Sequence, residues 1–299
     1  MSANITGVLL LDKPEGLTSN QALQKVKHLV GAKKAGHTGS LDPKATGMLA
    51  ICLGQATGFS QYLLESDKEY LVEGQLGAVT PSGDSETEIT QQRPFSHITR
   101  EQVEAALQDF RGQILQTPPM YSAIKVQGSP LYRLARKGVT VAREPRQVTV
   151  YSLNLEAFQE GRVTLRMRCS KGTYVRTIIT DLGEKLGCGA YVTKLRRLAI
   201  GPYSAHEMVT LEELSAKIAA GDNLASTIKP VSSILQNLQT VVVTQAMQYY
   251  LRHGNSILAP QTPDGGLVQL VGKAGELVGV GEVLANGKIG PCKLMRVNN

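Results

Sequence analysis

The sequence predicts an α+β fold in two parts. Through about residue 235, short apolar runs alternate with stretches whose apolar residues recur every three or four positions. From residue 241 onward, Val- and Leu-rich runs are separated by the turn signals "DGG", "KAGE" and "ANGK", which reads as strands only. The 299 residues are 42% hydrophobic, enough for one large core and a second small one. A large domain is therefore expected over residues 1–238 and a small β domain over 239–299.

"GVLLLDK" (7–13) is an apolar run stopped by charge and Pro14, which predicts a strand. In "TSNQALQKVKHLV" (18–30), Thr18 or Ser19 caps a helix with Ala22, Leu23, Val26, Leu29 and Val30 on one face. Its other face carries Lys25 and His28. "MLAICL" (48–53) reads as a buried strand, "ATGFSQYLLES" (56–66) as a helix, and "KEYLVEGQLGAV" (68–79) as an alternating strand. The polar stretch 80–94 must be loop. Thr99 and Gln102 form a capping box opening "TREQVEAALQDF". "VTVYSLNLEAF" and "RVTLRMRC" flank "QEG" as a hairpin, and "TYVRTIITDLGEKLG" is an amphipathic helix capped by Gly187.

The net charge of +7 suits a polyanionic partner, nucleic acid or a membrane surface, and equally a merely basic enzyme. Residues 121–146 hold six Lys or Arg (125, 133, 136, 137, 143, 146) against Glu144, most of the excess. Cys52, Cys169, Cys188 and Cys292 lie far apart without CxxC or zinc spacing, as expected of unpaired thiols in a reducing compartment. The N-terminal run lacks leader features, and no apolar run nears the roughly 18 residues of a membrane span. A soluble cytoplasmic protein is expected. No long apolar helix face lacks an intramolecular use, so a monomer is expected.

"GHTGSLDPKATGML" (36–49) is the densest cluster of small residues around one acid. A Walker loop requires Gly-Lys-Ser/Thr after a spaced Gly, and Lys44-Ala45-Thr46 breaks that frame. One carboxylate and one His five residues apart make a poor metal site. Asp42-Pro43 is an ordinary turn starter. The alternative is that small residues let a bulky substrate reach Asp42, since an Asp can serve as a covalent nucleophile when a cation keeps it ionised.

"LLLDKPEGLTS", "GHTGSLDPKATGML", "KEYLV" and "SKGTYVRTIITDLGEKLG" occur in order over about the first 200 residues. Together they resemble the successive motifs of the tRNA pseudouridine synthase B family. The resemblance implies a pseudouridine synthase catalytic domain, with a central mostly antiparallel sheet flanked by helices, and a small PUA-like β-barrel after it. It implies isomerisation of uridine-55 in the T loop of tRNA to pseudouridine, without cofactor or metal: the base leaves ribose at N1, turns, and rejoins through C5.

By match to the motifs, Asp42 is the nucleophile, and Arg176 in "GTYVRT" is its cation. Tyr70 stacks on the base and assists proton removal from C5, while Tyr174 and Leu195 contact the uridine. His37 fills the space left as the base is extruded, and Asp84 is the acid of the Asp–Arg network. Lys13, Lys33, Lys34 and Lys44, with Lys125, Arg133 and Arg136 of the RNA-clasping insertion 121–146, are expected on the RNA backbone. Two positions depart from the pattern: Pro81 stands where an acid is usual, and Gly58 where many relatives are basic. The small domain carries Lys or Arg at 252, 273, 288, 293 and 296 against three acids, a weak +2. Competing readings are a tRNA-binding, tRNA-remodelling protein with catalysis secondary, and a pseudouridine synthase for another RNA.

Overall fold

The computed structural model describes residues 5–126 and 128–297; the first four residues, Gln127 of the basic segment and the last two residues, over which the readings above extend, lie outside them. The chain opens with β1 (Gly7–Lys13), then α1 (Ser19–Leu29), β2 (Ala35–His37) and β3 (Thr46–Leu53). Thr18 caps α1 through a reciprocal box with Gln21, leaving Ser19 free for another use. The expected helix 56–66 divides into a 3-10 turn, Gly54–Gly58, and a short α2 (Ser60–Leu64). The Thr57 and Ser60 hydroxyls donate back to the carbonyls of Gly54 and Thr57, competing with the helical ladder there.

The expected strand 68–79 divides at Gly77 into β4 (Lys68–Leu76) and β5 (Ala78–Val79). Within the stretch expected to be all loop, β6 (Gln91–Gln92) pairs with β5. There follow α3 (Arg100–Leu107), with its Thr99–Gln102 box, and β7 (Gly112–Gln116). The basic segment folds as β8 (Lys125–Val126), β9 (Ser129–Pro130) and α4 (Leu131–Ala135). The hairpin is β10 (Arg146–Gln159) and β11 (Arg162–Cys169). Then come α5 (Val175–Lys185), ended by Gly187 at positive φ, β12 (Ala190–Ile200), α6 (Leu211–Ala219) and β13 (Ile228–Lys229).

Among the described residues, nine of these strands make one sheet in the order β13-β1-β3-β12-β4-β11-β10-β7, with β2 also on β3. Every pairing is antiparallel except β3 with β12, which run parallel and meet only at Thr46–Arg196 and Gly47–Arg197. β1 and β3 are apolar on both faces because both are covered. Leu9, Leu11, Leu49 and Ile51 pack under α1, and Val8, Leu10, Met48 and Ala50 pack with Phe59 and Leu63. β4, β11, α3 and α5 enclose the largest core, including Val72, Leu165, Val103 and Ile179.

The C-terminal part is β14 (Gln239–Val243), α7 (Gln245–Arg252), β15 (Gly266–Gly272), β16 (Leu277–Val283) and β17 (Ile289–Leu294), its sheet ordered β14-β15-β16-β17. The expectation of strands only is corrected by α7, which Thr244 caps and whose Met247 and Leu251, one turn apart, pack on this second core. Leu277, Val280 and Met295 also pack into the cluster around Phe59, seating this part on the large sheet.

Candidate active site

The segment between β2 and β3 carries Asp42, and three ties hold it. The Leu41 N–H donates to Ser19 Oγ at 2.7 Å, and the Ser19 hydroxyl donates to the Leu41 carbonyl at 2.9 Å. The Gly16 N–H donates to the Pro43 carbonyl at 2.8 Å. Lys13 is fully buried and its ammonium donates to the carbonyls of Pro14 and Leu17, with Pro43 at 3.4 Å. Lys13 is thus a brace for the loop, which corrects its expected place on the RNA backbone: an ammonium with no exposed surface reaches no phosphate. Burial foremost lowers its pKa to about 8, against the attraction of Asp42. Gly47, at φ +93°, follows the loop where β3 meets β12; a Cβ there would lie 2.3 Å from the Arg197 carbonyl, so only glycine allows this approach.

Arg176 sits in the first turn of α5 and is buried. Its Nε stands 3.0 Å from Asp42 Oδ2. Nη1 donates to the Ser82 carbonyl at 2.6 Å and lies 3.5 Å from Asp84 Oδ2, and Nη2 donates to the Tyr121 carbonyl at 2.5 Å. Four partners around a planar fork leave it one orientation. Asp84 is itself buried, its Oδ1 accepting from the Ser82 hydroxyl at 2.7 Å and the Glu86 N–H at 2.9 Å. The departure at Pro81 stays on the exposed side of this turn, and Asp84 reaches Arg176 all the same. Asp42 keeps 39% of its side chain open. Burial pushes its carboxyl above the ordinary range; Arg176 is the main opposing influence, and Asp84 and Glu86 add to the rise.

A cavity of about 330 Å³ opens beside this pair, lined among others by Asp42, Tyr70, Tyr174, Arg176, Leu195 and Arg197. Five of those six are the residues expected from the motifs to meet the uridine. Tyr70 stands on the buried face of β4, directly across from Arg197 of β12, and Leu195 is opposite Val72. Burial raises the Tyr70 hydroxyl pKa, with Arg197 opposing. Tyr174 occupies the N-cap position of α5, where the side chain of buried Gln116 both accepts from its N–H (2.7 Å) and donates to its carbonyl (2.9 Å).

Arg197, Lys68 and Gln116 were not expected. Arg197 is buried, donating from Nε to the Met48 carbonyl at 2.7 Å and from Nη2 to the Gly39 carbonyl at 3.0 Å, so it ties β3, the motif loop and the Tyr70 side of the cavity together. A signal existed: in a strand, adjacent Arg196 and Arg197 must face opposite ways, and Arg196 takes Asp12 in a two-pronged pair. Lys68 lines the cavity but spends its ammonium on the carbonyls of Leu63, Leu64 and Ser66. Nothing in the spacing marks Gln116.

The remaining expected residues lie outside the cavity lining. His37 is half-buried on β2, and burial followed by Arg197 lowers its pKa. Lys44 is exposed and pairs with Glu15 at 3.3 Å. Lys33 and Lys34 are exposed beside a separate groove. Lys125, Arg133 and Arg136 are exposed on the basic segment, whose Ser122 and Ala123 form one wall of the cavity; Arg136 pairs with Glu86 at 2.6 Å. Among the described residues, no group of three or more His, Cys, Asp or Glu is placed to hold a metal ion, and no helix is long and apolar enough to cross a membrane.

The fold is that of the pseudouridine synthases. A Cbf5–Nop10–Gar1 complex shares the fold with a TM-score of 0.76 at 25% identity, covering 98% of this chain and 85% of that one. An H/ACA RNP bound to a substrate RNA containing 2'-deoxyuridine shares the fold, with TM-score 0.74. Residues 27–175 match the TruB family pseudouridylate synthase N-terminal domain, 176–236 the tRNA pseudouridylate synthase B C-terminal domain, and 240–295 the pseudouridine synthase II TruB C-terminal domain. The tRNA pseudouridine synthase B of Pseudomonas fluorescens is 50% identical over 98% of this chain and 96% of that protein; that of Coxiella burnetii is 47% identical over 98% and 95%. The chain belongs to the TruB family of pseudouridylate synthases.

Proposed function

We propose that this chain converts uridine-55 in the T loop of tRNA to pseudouridine, with Asp42 as nucleophile on an extruded base. The observation that carries the reading is the Asp42–Arg176 pair: a carboxylate whose pKa burial raises, held beside a guanidinium that keeps its charge, both lining one cavity. The relatives named above are tRNA pseudouridine synthases, which supports tRNA as the substrate.

In the reaction the C1'–N1 bond breaks and a C1'–C5 bond forms. The proton on C5 is lost and N1 gains one, so the balance needs no oxidant and no water. Asp42 supplies the electron pair and Arg176 keeps it available. Tyr70, lining the same cavity as Asp42, supplies an aromatic plane for the uracil and a hydroxyl for the C5 proton. Leu195 and Tyr174 close the cavity against the base. The half-buried His37 stands outside the cavity and fills the stack vacated by the base. Exposed Lys125 and Arg133 hold phosphates.

The test is conversion of an unmodified tRNA transcript, followed by mapping of pseudouridine, beside a transcript in which the T-loop uridine is replaced by cytidine. Pseudouridine at that position and none in the cytidine transcript is the expected result. Pseudouridine elsewhere, or conversion of the cytidine transcript, rejects the assignment.

A further inference from the structure

One buried hydroxyl in the wall of the Asp42 cavity is left unpaired by the protein. It belongs to Ser122, which lines the cavity and is 5% exposed. Among the described residues, three buried side-chain polar atoms have no hydrogen-bond partner: His37 Nδ1, Ser122 Oγ and Arg143 Nε. Of these three residues only Ser122 lines this cavity. Burial raises the pKa of the Tyr174 hydroxyl, and Ser122 lies near enough to oppose that rise without completing a hydrogen bond. A buried hydroxyl without a partner costs the folded chain stability, and the cost is removed by a ligand that pairs with it.

The backbone that carries this hydroxyl is held from both sides. The preceding carbonyl, of Tyr121, accepts from Arg176 Nη2 at 2.5 Å. The Ser122 carbonyl accepts from the Tyr132 N–H at 3.0 Å, and the Ile124 carbonyl from the Leu131 N–H at 2.8 Å. Leu131 opens α4 and is fully buried. The guanidinium that pairs with Asp42 therefore also fixes the residue next to Ser122, and α4 fixes Ser122 itself.

The partner follows from what can reach a buried wall. The sugar and phosphates of an extruded nucleotide are continuous with the RNA outside, so the part that enters is the base. Asp42, which works on the bond between sugar and base, keeps 39% of its side chain open, whereas Ser122 is almost wholly buried. On extrusion uracil loses the partners of O2, N3–H and O4, and the lining has few groups free to replace them. Lys68 is committed to three carbonyls, the Thr173 hydroxyl donates to the Ser170 carbonyl, the Ser170 hydroxyl accepts from the Thr149 N–H, and Arg176 has four partners. The Ser122 hydroxyl is uncommitted and can donate to a carbonyl oxygen. A half-turn of uracil about the axis through N3 and C6 exchanges N1 with C5 and O2 with O4, so one donor fits the base before and after it turns. We propose that Ser122 is a uracil-binding residue whose hydroxyl donates to O2 of the extruded uridine and, once the ring has turned, to O4 of the pseudouridine. This rests on the reaction proposed above and adds to it a polar contact that holds the base while its bond to the sugar is broken.

The test compares wild type with S122A, S122V and S122T for melting temperature, tRNA affinity and single-turnover conversion of saturating unmodified tRNA. The hydroxyl holds nothing within the protein, so S122A should melt no lower than wild type. Phosphate contacts supply most of the affinity, so the lost base contact appears in conversion: S122A and S122V should be about tenfold slower, with tRNA affinity within about twofold of wild type. S122T, which has the shape of S122V and keeps the hydroxyl, should exceed S122V by about the same factor. A tRNA with 2-thiouridine at the target position, whose sulfur is a poor acceptor, should slow wild type and leave S122A nearly unchanged. Conversion by S122A at the wild-type rate, or a lower melting temperature for S122A, overturns the contact. Equal slowing of both proteins by the thiocarbonyl overturns the base as its partner. Absence of conversion by wild type rejects the proposed function, and the contact with it.

Discussion

Arg176 Nε lies 3.0 Å from Asp42 Oδ2, while its other nitrogens are committed to the Ser82 and Tyr121 carbonyls and to Asp84. The guanidinium is therefore an oriented part of the protein that presents one N–H edge to the carboxylate. Lysine, a point charge, keeps the attraction but cannot satisfy the two carbonyls and two acids in one plane. Arg176→Lys should lower the single-turnover rate by about 10²-fold, and Arg176→Met by about 10³-fold, with tRNA affinity changed far less. A wild-type rate for Arg176→Lys would show that orientation contributes nothing.

In the proposed reaction Asp84 acts through Arg176, whose Nη1 it faces at 3.5 Å. Asp84→Asn retains an oxygen for the Ser82 hydroxyl and the Glu86 N–H, and removes the charge facing Nη1. The expected result is a rate about tenfold lower, with a lower melting temperature because one partner of a buried ion pair is lost. A Ser82→Ala variant should lower the rate in the same way and add little to Asp84→Asn in the double variant.

The pH dependence follows from burial. In the proposed reaction Asp42 acts in its ionised form, and its folded-state pKa is raised by burial first, with Arg176 opposing. The rate should fall on the acid side with a midpoint above the ordinary carboxylate range, and Arg176→Met should move that midpoint higher still. For stability the sign is reversed. A carboxyl whose folded pKa is raised costs stability above that pKa and is relieved as pH falls, so Asp42→Asn should not lower the melting temperature at neutral pH.

Tyr70→Phe keeps the ring against the base and removes the hydroxyl. If the hydroxyl serves the C5 proton, loss of that proton should slow by about 10²-fold while tRNA binding is retained. Tyr70→Leu should weaken both, read by proton release and by binding in parallel.

Lys13→Met removes the donor shared by the Pro14, Leu17 and Pro43 carbonyls. Thermal or denaturant unfolding should show a loss of about 1 to 3 kcal/mol. The salt slope of tRNA binding should not change, whereas removing Lys125 and Arg133 together should reduce it by about 1.5 to 2.

What the sequence made legible were features decided within one turn or one strand. The Thr18 and Thr99 capping boxes, the alternation of β4 and the hairpin about Gly161 depend on neighbours alone. Asp42, Tyr70, Tyr174, Arg176 and Leu195 were legible through the family motifs, and the fold brings them to one cavity. The rest depended on long-range packing. Lys13 reads as a surface charge because nothing nearby shows that three carbonyls turn toward it. The helix expected over 56–66 fails at Gly58 and at hydroxyls that bond backward, and α7 was hidden because its apolar face is only Met247 and Leu251. Arg197 becomes important only once β12 lies beside β4.

The most direct measurement is tritium release from unmodified tRNA carrying [5-³H]uridine, with wild type and Asp42→Asn side by side and tRNA binding measured for both. Release by wild type alone, with both proteins binding equally, is the predicted result. Release by Asp42→Asn at a comparable rate would contradict the assignment of the nucleophile, and tight binding by both with release from neither would contradict the proposed reaction on this RNA.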